Sequence, residues 1–187
     1  MRRSSWCAAL VVLAVACQAP APLTPTPIGP TPVTPTVAPP PPTPTTPAVT
    51  NSRVETLNAA NAAFRSADLK TSAGLYDRVI NTPPSGEAAA LTLAINDFAH
   101  FRAMVTLLAD GREDEAHAHL EALQTRDANA PFARLGNQLW DQYGMTGQLR
   151  GACAQLQPQI VSQAGPVLTT LQASGVTVDA QTLCSVS

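Results

Sequence analysis

Residues 87–109 read EAAALTLAINDFAHFRAMVTLLA, and this stretch decides the fold. Leu91, Ile95, Phe98, Phe101, Val105 and Leu108 recur three and four positions apart, the spacing of one face of an α-helix. Leu93, Met104 and Leu107 fall off that stripe, so the helix from about Glu87 to Ala109 is expected to be covered on more than one side. Pro83-Pro84-Ser85-Gly86 separates it from the preceding helix, and Gly111 suits a left-handed ending. Asp97, His100 and Arg102 near its middle argue against a bilayer span, where one charge at the centre costs roughly 2.5–3.5 kcal/mol.

Outward from this helix the same period continues. Ser52-Arg53-Val54-Glu55 reads as a capping box, and Val54, Leu57 and Phe64 come after it at helical spacing. A second helix carries Leu69, Ser72, Ala73, Tyr76, Val79 and Ile80. Beyond Gly111, Glu113, Asp114 and Glu115 suit the positive end of a helix that buries Ala116, Leu120 and Leu123. Pro131 suits the first turn of the next, with Phe132, Leu135, Leu139 and Tyr143 inward. A sixth carries Leu149, Ala152, Cys153 and Leu156, and Pro158 and Pro166 are expected to break the remaining chain into shorter pieces. The expectation for residues 51–187 is one all-α domain of three antiparallel helix pairs.

The pairs share a turn signature. Ala67-Asp68-Leu69-Lys70-Thr71-Ser72 is followed by Tyr76, Gly111-Arg112-Glu113-Asp114-Glu115-Ala116 by Leu120, and Gly147-Gln148-Leu149-Arg150-Gly151-Ala152 by Leu156. Each has a small residue at the turn, another five positions on, and a large one four further. The pattern resembles the tetratricopeptide repeat. The spacing of 44 and 36 residues between units departs from the family's 34, and the family's first-helix Trp-x-x-Leu-Gly is absent. The resemblance implies a short repeat stack that binds protein segments; the other reading of the same residues is a plain antiparallel bundle.

The amino-terminal third has a different character. Arg2 and Arg3 precede a short apolar run, Ala8 to Ala16, the layout of a secretory signal peptide over residues 1–16. Ala14-Val15-Ala16-Cys17 resembles the bacterial lipobox, although Leu13 lies four rather than three positions before Cys17. The resemblance implies cleavage before Cys17 and acylation there, attaching the chain to a membrane on its extracytoplasmic face, at the cell surface or in the periplasm. Ordinary Ala-x-Ala cleavage without lipid is the alternative. Residues 18–50 lack any charge and repeat Thr-Pro and Pro-x-Pro up to Pro39-Pro40-Pro41-Pro42. Such a composition offers too little apolar surface to fold. Residues 17–50 are therefore read as a disordered tether, extended in polyproline II.

All thirteen acidic residues lie beyond residue 50, against nine basic ones, so the chain without its leader carries −4. No basic stripe marks a nucleic-acid surface. Phosphate loops, nucleophile elbows and close redox cysteine pairs are missing from the sequence. His117 and His119 are two apart, on opposite sides of a helix, and the histidines are read as solvated helix-face residues. Trp140, beside Asp141 and Tyr143, is read as packing on a neighbouring helix rather than stacking on a sugar. No catalytic residue, cofactor, metal site or small-molecule substrate is therefore expected. The expected role is a protein-interaction module for an envelope partner, with a structural spacer lipoprotein as the alternative.

Four cysteines complete the account. Cys7 leaves with the leader and Cys17 takes the lipid, which leaves Cys153 and Cys184 as a disulfide pair in an oxidising compartment. The segment after Gly175 is too short to hold a helix by itself. It is expected to end in one short turn capped by Asp179 and to be stapled through Cys184 over the last helices, covering the apolar end of the stack.

Overall fold

A computed structural model of the chain describes residues 52–184, and every regular element among them is helical. The expected leader, Cys17 and the tether lie outside the described residues. The helices are α1 (Ser52–Arg65), α2 (Leu69–Asn81), α3 (Ala89–Ala109), α4 (Glu113–Asp127), α5 (Pro131–Thr146) and α6 (Leu149–Ala173), followed by a 3₁₀ turn at Ala180–Thr182. Helix α1 pairs with α2, α3 with α4 and α5 with α6, each across a turn too short for anything but an antiparallel return.

Among the described residues helix α3 is central and packs against each of the other five α-helices. Its off-stripe positions explain this. Met104 and Leu107 are buried along with Ile95, Phe98, Phe101, Val105 and Leu108, while Leu93 near its start remains 52% exposed. Phe132 of α5 meets Phe98 edge-on at 5.9 Å and Phe101 at 5.4 Å between ring centroids, geometries that suit the ring quadrupoles.

The signature turns do the same thing three times. Ala67, Gly111 and Gly147 take φ values of 58°, 74° and 64°, and the residues five positions later, Ser72, Ala116 and Ala152, are fully buried. Ser72 Oγ donates to the Ala60 carbonyl at 3.2 Å, which fixes how closely α2 approaches α1. After Gly111, the Arg112 N–H reaches back to the Leu107 carbonyl at 2.9 Å, closing the carbonyl end of α3. One close approach escaped the sequence reading: a Cβ at Gly136 would lie 2.9 Å from Leu120 Cδ1, so α5 sits against α4 where only glycine fits without adjustment.

Two expectations need correction. Helix α6 runs unbroken through Pro158 and Pro166. Both prolines are exposed, and the buried row Ala152, Leu156, Ile160, Ala164, Leu168 continues past them at steps of four. The packing of that row outweighs the hydrogen bond each proline removes. Helix α3 begins at Ala89, close to the expected start, and Glu87 just before it turns inward to meet Arg53 at 2.8 Å in a buried ion pair. Ser52, assigned to the cap of α1, lies within the helix itself.

Candidate binding site

The segment after α6 is the least expected part of the fold. Gly175, at φ 87°, ends α6, with the Val176 N–H bonded to the Leu171 carbonyl at 3.0 Å. The chain then crosses α1 and α3 instead of only covering the last helices. Asn58 of α1 donates to the Gly175 carbonyl (2.9 Å) and accepts from the Thr177 N–H (2.7 Å). Asn61 donates to the Thr177 carbonyl at 3.0 Å. From α6, Gln172 reaches the Val178 carbonyl at 2.8 Å and Gln157 the Ala180 carbonyl at 2.9 Å. The expected cap is present, with Asp179 Oδ1 accepting from the Gln181 N–H at 2.9 Å.

Arg102 anchors the far end of this segment. It is buried in α3, its guanidinium carbon 3.6 Å from the centre of the Phe64 ring. Nη1 donates to the carbonyls of Thr182 (3.0 Å) and Leu183, and Nε donates to the Tyr76 hydroxyl at 3.0 Å. Tyr76 in turn donates to Asn61 Oδ1 at 2.7 Å. Burial raises the Tyr76 pKa, with Arg102 working in the opposite direction. These partners are all neutral, so a buried cation is held by carbonyl dipoles and an aromatic face. The contacts read main chain rather than side chains, which is how an extended peptide is held without regard to its sequence.

Cys153 of α6 and Cys184 lie at bonding distance, S–S 1.92 Å, with Cα atoms 5.4 Å apart. That is inside the range a disulfide needs. Beside this pair opens a cavity of about 1070 Å³ between the start of α2, the end of α3 and the first half of α6. Its walls are mostly apolar: Leu69, Ala109, Leu149, Ala154, Pro158 and Val161, with Arg150 at one end.

The histidines differ from expectation. His100 is buried, with its Nδ1 3.1 Å from Nδ1 of His119, and His119 Nε2 lies 3.4 Å from Asp77 Oδ1. Burial pushes His100 down to about 4, helped by His119 and Arg126. His119 is also lowered by burial, against the pull of Asp77 and Glu115. Only His117 remains on the surface, where its ring meets that of Trp140 at 4.9 Å. Trp140 thus packs across α4 and α5, as expected. Among the described residues no group of three or more His, Cys, Asp or Glu is placed to hold a metal ion, and no helix is long and apolar enough to cross a membrane.

Sequence reading identified Cys153, Cys184 and Asp179 but not Arg102, Asn58, Asn61 or the cavity. Comparison with protein-family models, curated proteins and solved structures finds no match to this chain.

Proposed function

We propose that this protein is a non-enzymatic bacterial lipoprotein, acylated at Cys17 and exposed on the extracytoplasmic side of a membrane. Residues 17–50 act as the tether, and the helical domain is a protein-interaction module for another envelope protein. The carrying observation is the threefold turn: left-handed backbone at residues 67, 111 and 147, each followed by a fully buried small residue at 72, 116 and 152. This supports the likeness to tetratricopeptide repeats, whose stacked pairs offer surfaces to partner segments. The test is affinity capture from membranes with the intact chain and with a chain lacking the helical domain. A partner protein retained only by the intact chain supports the reading, and wall or membrane retention that ignores the domain removes it.

One observation favours the spacer reading instead. The face lined by α1 and α3 already carries the chain's own residues 175–183. If no protein is captured while the intact chain still co-sediments with wall polymer, the domain is a structural element.

A further inference from the structure

We propose that the cavity beside the disulfide binds a single-chain amphiphile with an anionic head, specifically a long-chain carboxylate. The inference stands independently of the protein-interaction reading.

Helix α6 has two apolar faces where a surface helix normally has one. The inward face is the buried row that crosses both prolines. The second comprises Ala154, Pro158 and Val161, which with Arg150 succeed one another at steps of three and four along one side of the helix. Among the described residues nothing closes over this side: Val161 is 58% exposed at the open cavity. Leu69 and Ala109 face it across the cavity, and the Cys153–Cys184 pair lies along one wall. From Arg150 to Val161 the trough runs along eleven residues of helix, about 16 Å at 1.5 Å per residue. Its volume of about 1070 Å³ lies just above the span of ordinary ligand sites, about 300–1,000 Å³. An apolar cavity extended along a helix fits a flexible hydrocarbon chain better than a compact polar molecule.

The polar end specifies the head. Arg150 is exposed and makes no ion pair or hydrogen bond among the described residues. It stands in the first turn of α6, which has no acidic residue and no side-chain cap. Helices α3 and α5 also start without a side-chain cap or an acid, but only at α6 does such a start line the cavity. The start of α6 therefore presents uncapped N–H groups, the positive end of a helix and an unpaired guanidinium at one mouth of the apolar trough. No acidic residue lines the cavity. A carboxylate placed there gains all three interactions, while its chain lies along Ala154, Pro158 and Val161.

The test uses the exported full chain carrying Cys17→Ser, so that no detergent competes, with calorimetric titration of tetradecanoate below its micelle concentration. One molecule should bind per chain. Arg150→Ala should weaken binding about ten-fold, the scale of a lost charge-assisted contact, and Arg150→Lys should restore most of it. Val161→Glu should abolish binding without lowering the thermal midpoint, because the side chain is largely exposed. Leu93→Glu, at an exposed leucine that does not line the cavity, should change nothing. Tetradecanol bound as tightly as tetradecanoate overturns the anionic specificity, and butyrate bound as tightly overturns the trough. Absence of binding, or equal loss in Leu93→Glu and Val161→Glu, overturns the site. Any of these results leaves capture of a partner protein unaffected.

Discussion

Asn58 and Thr177 are 119 residues apart and joined at 2.7 Å, with the Thr177 N–H donating to Asn58 Oδ1. The same side chain returns a hydrogen bond to the Gly175 carbonyl. One amide thereby fastens the first described helix to the last segment, and in Asn58→Ala both contacts vanish. The Thr177 amide should then exchange with solvent far faster than in the parent, at a cost of about 1–2 kcal/mol. Unchanged exchange at Thr177 would refute the clamp.

Arg102→Met should be more damaging. It leaves the Tyr76 hydroxyl without its donor and the Thr182 and Leu183 carbonyls with none, at roughly 2–4 kcal/mol in chemical denaturation. Arg102→Lys should recover little, because an ammonium cannot reproduce the fork that serves Tyr76 and two carbonyls at once. A parent-like denaturation midpoint in Arg102→Met counts against any anchoring role.

The buried Arg53–Glu87 pair gives a second stability test. Glu87→Gln removes the carboxylate charge that faces the buried guanidinium at 2.8 Å, and roughly 3–5 kcal/mol should be lost. The double variant Arg53→Met, Glu87→Leu should lose less than Glu87→Gln alone, since both buried charges of this pair are then removed together. A double variant at least as unstable as the single one means that the pair contributes more than its desolvation costs.

Acid should weaken the domain through His100. Its pKa in the folded chain is near 4, below the ordinary value of about 6.5, so between these values the unfolded chain binds the extra proton. Stability is therefore full above pH 6.5, falls as the pH drops toward 4, and levels off below, with at most about 3 kcal/mol from this group. His100→Gln should flatten that part of the pH profile. If denaturation midpoints of parent and variant fall in parallel from pH 7 to 4.5, His100 is not the cause.

At Ala67 the backbone has φ 58° without being glycine, a conformation that costs an L-residue about 1 kcal/mol. Ala67→Gly should raise the thermal midpoint by a few degrees, whereas Gly111→Ala, at φ 74°, should lower it. Opposite signs at equivalent turn positions are the diagnostic result.

The helices were legible because each carries its own period: Leu91 through Leu108 on α3 and Phe132 through Leu139 on α5 need no distant partner to be read. Asp179 and the left-handed turn at Gly111 were legible for the same local reason. Pro158 and Pro166 misled because proline is a local signal, whereas the continuous row from Ala152 to Leu168 that overrides it draws its strength from packing on other helices. His100 and Arg102 look like polar interruptions of α3 until the fold supplies partners from α2, α4 and the tail. Asn58 was illegible altogether, since its partners are main-chain groups, which leave no trace in residue types. The cavity likewise exists only where three separate helices leave a space.

The main-chain grip of Arg102 has a consequence for how the domain is completed. The cation on α3 and its aromatic neighbours are synthesised about 80 residues ahead of the carbonyls they require. Until Thr182 and Leu183 arrive, six helices can form around a charge that lacks two of its three acceptors. A chain cut short by a dozen residues would keep its helices yet hold an undersatisfied guanidinium at its centre. Such a chain should be opened by proteases more readily than the full one, a difference that limited proteolysis of the two lengths would show.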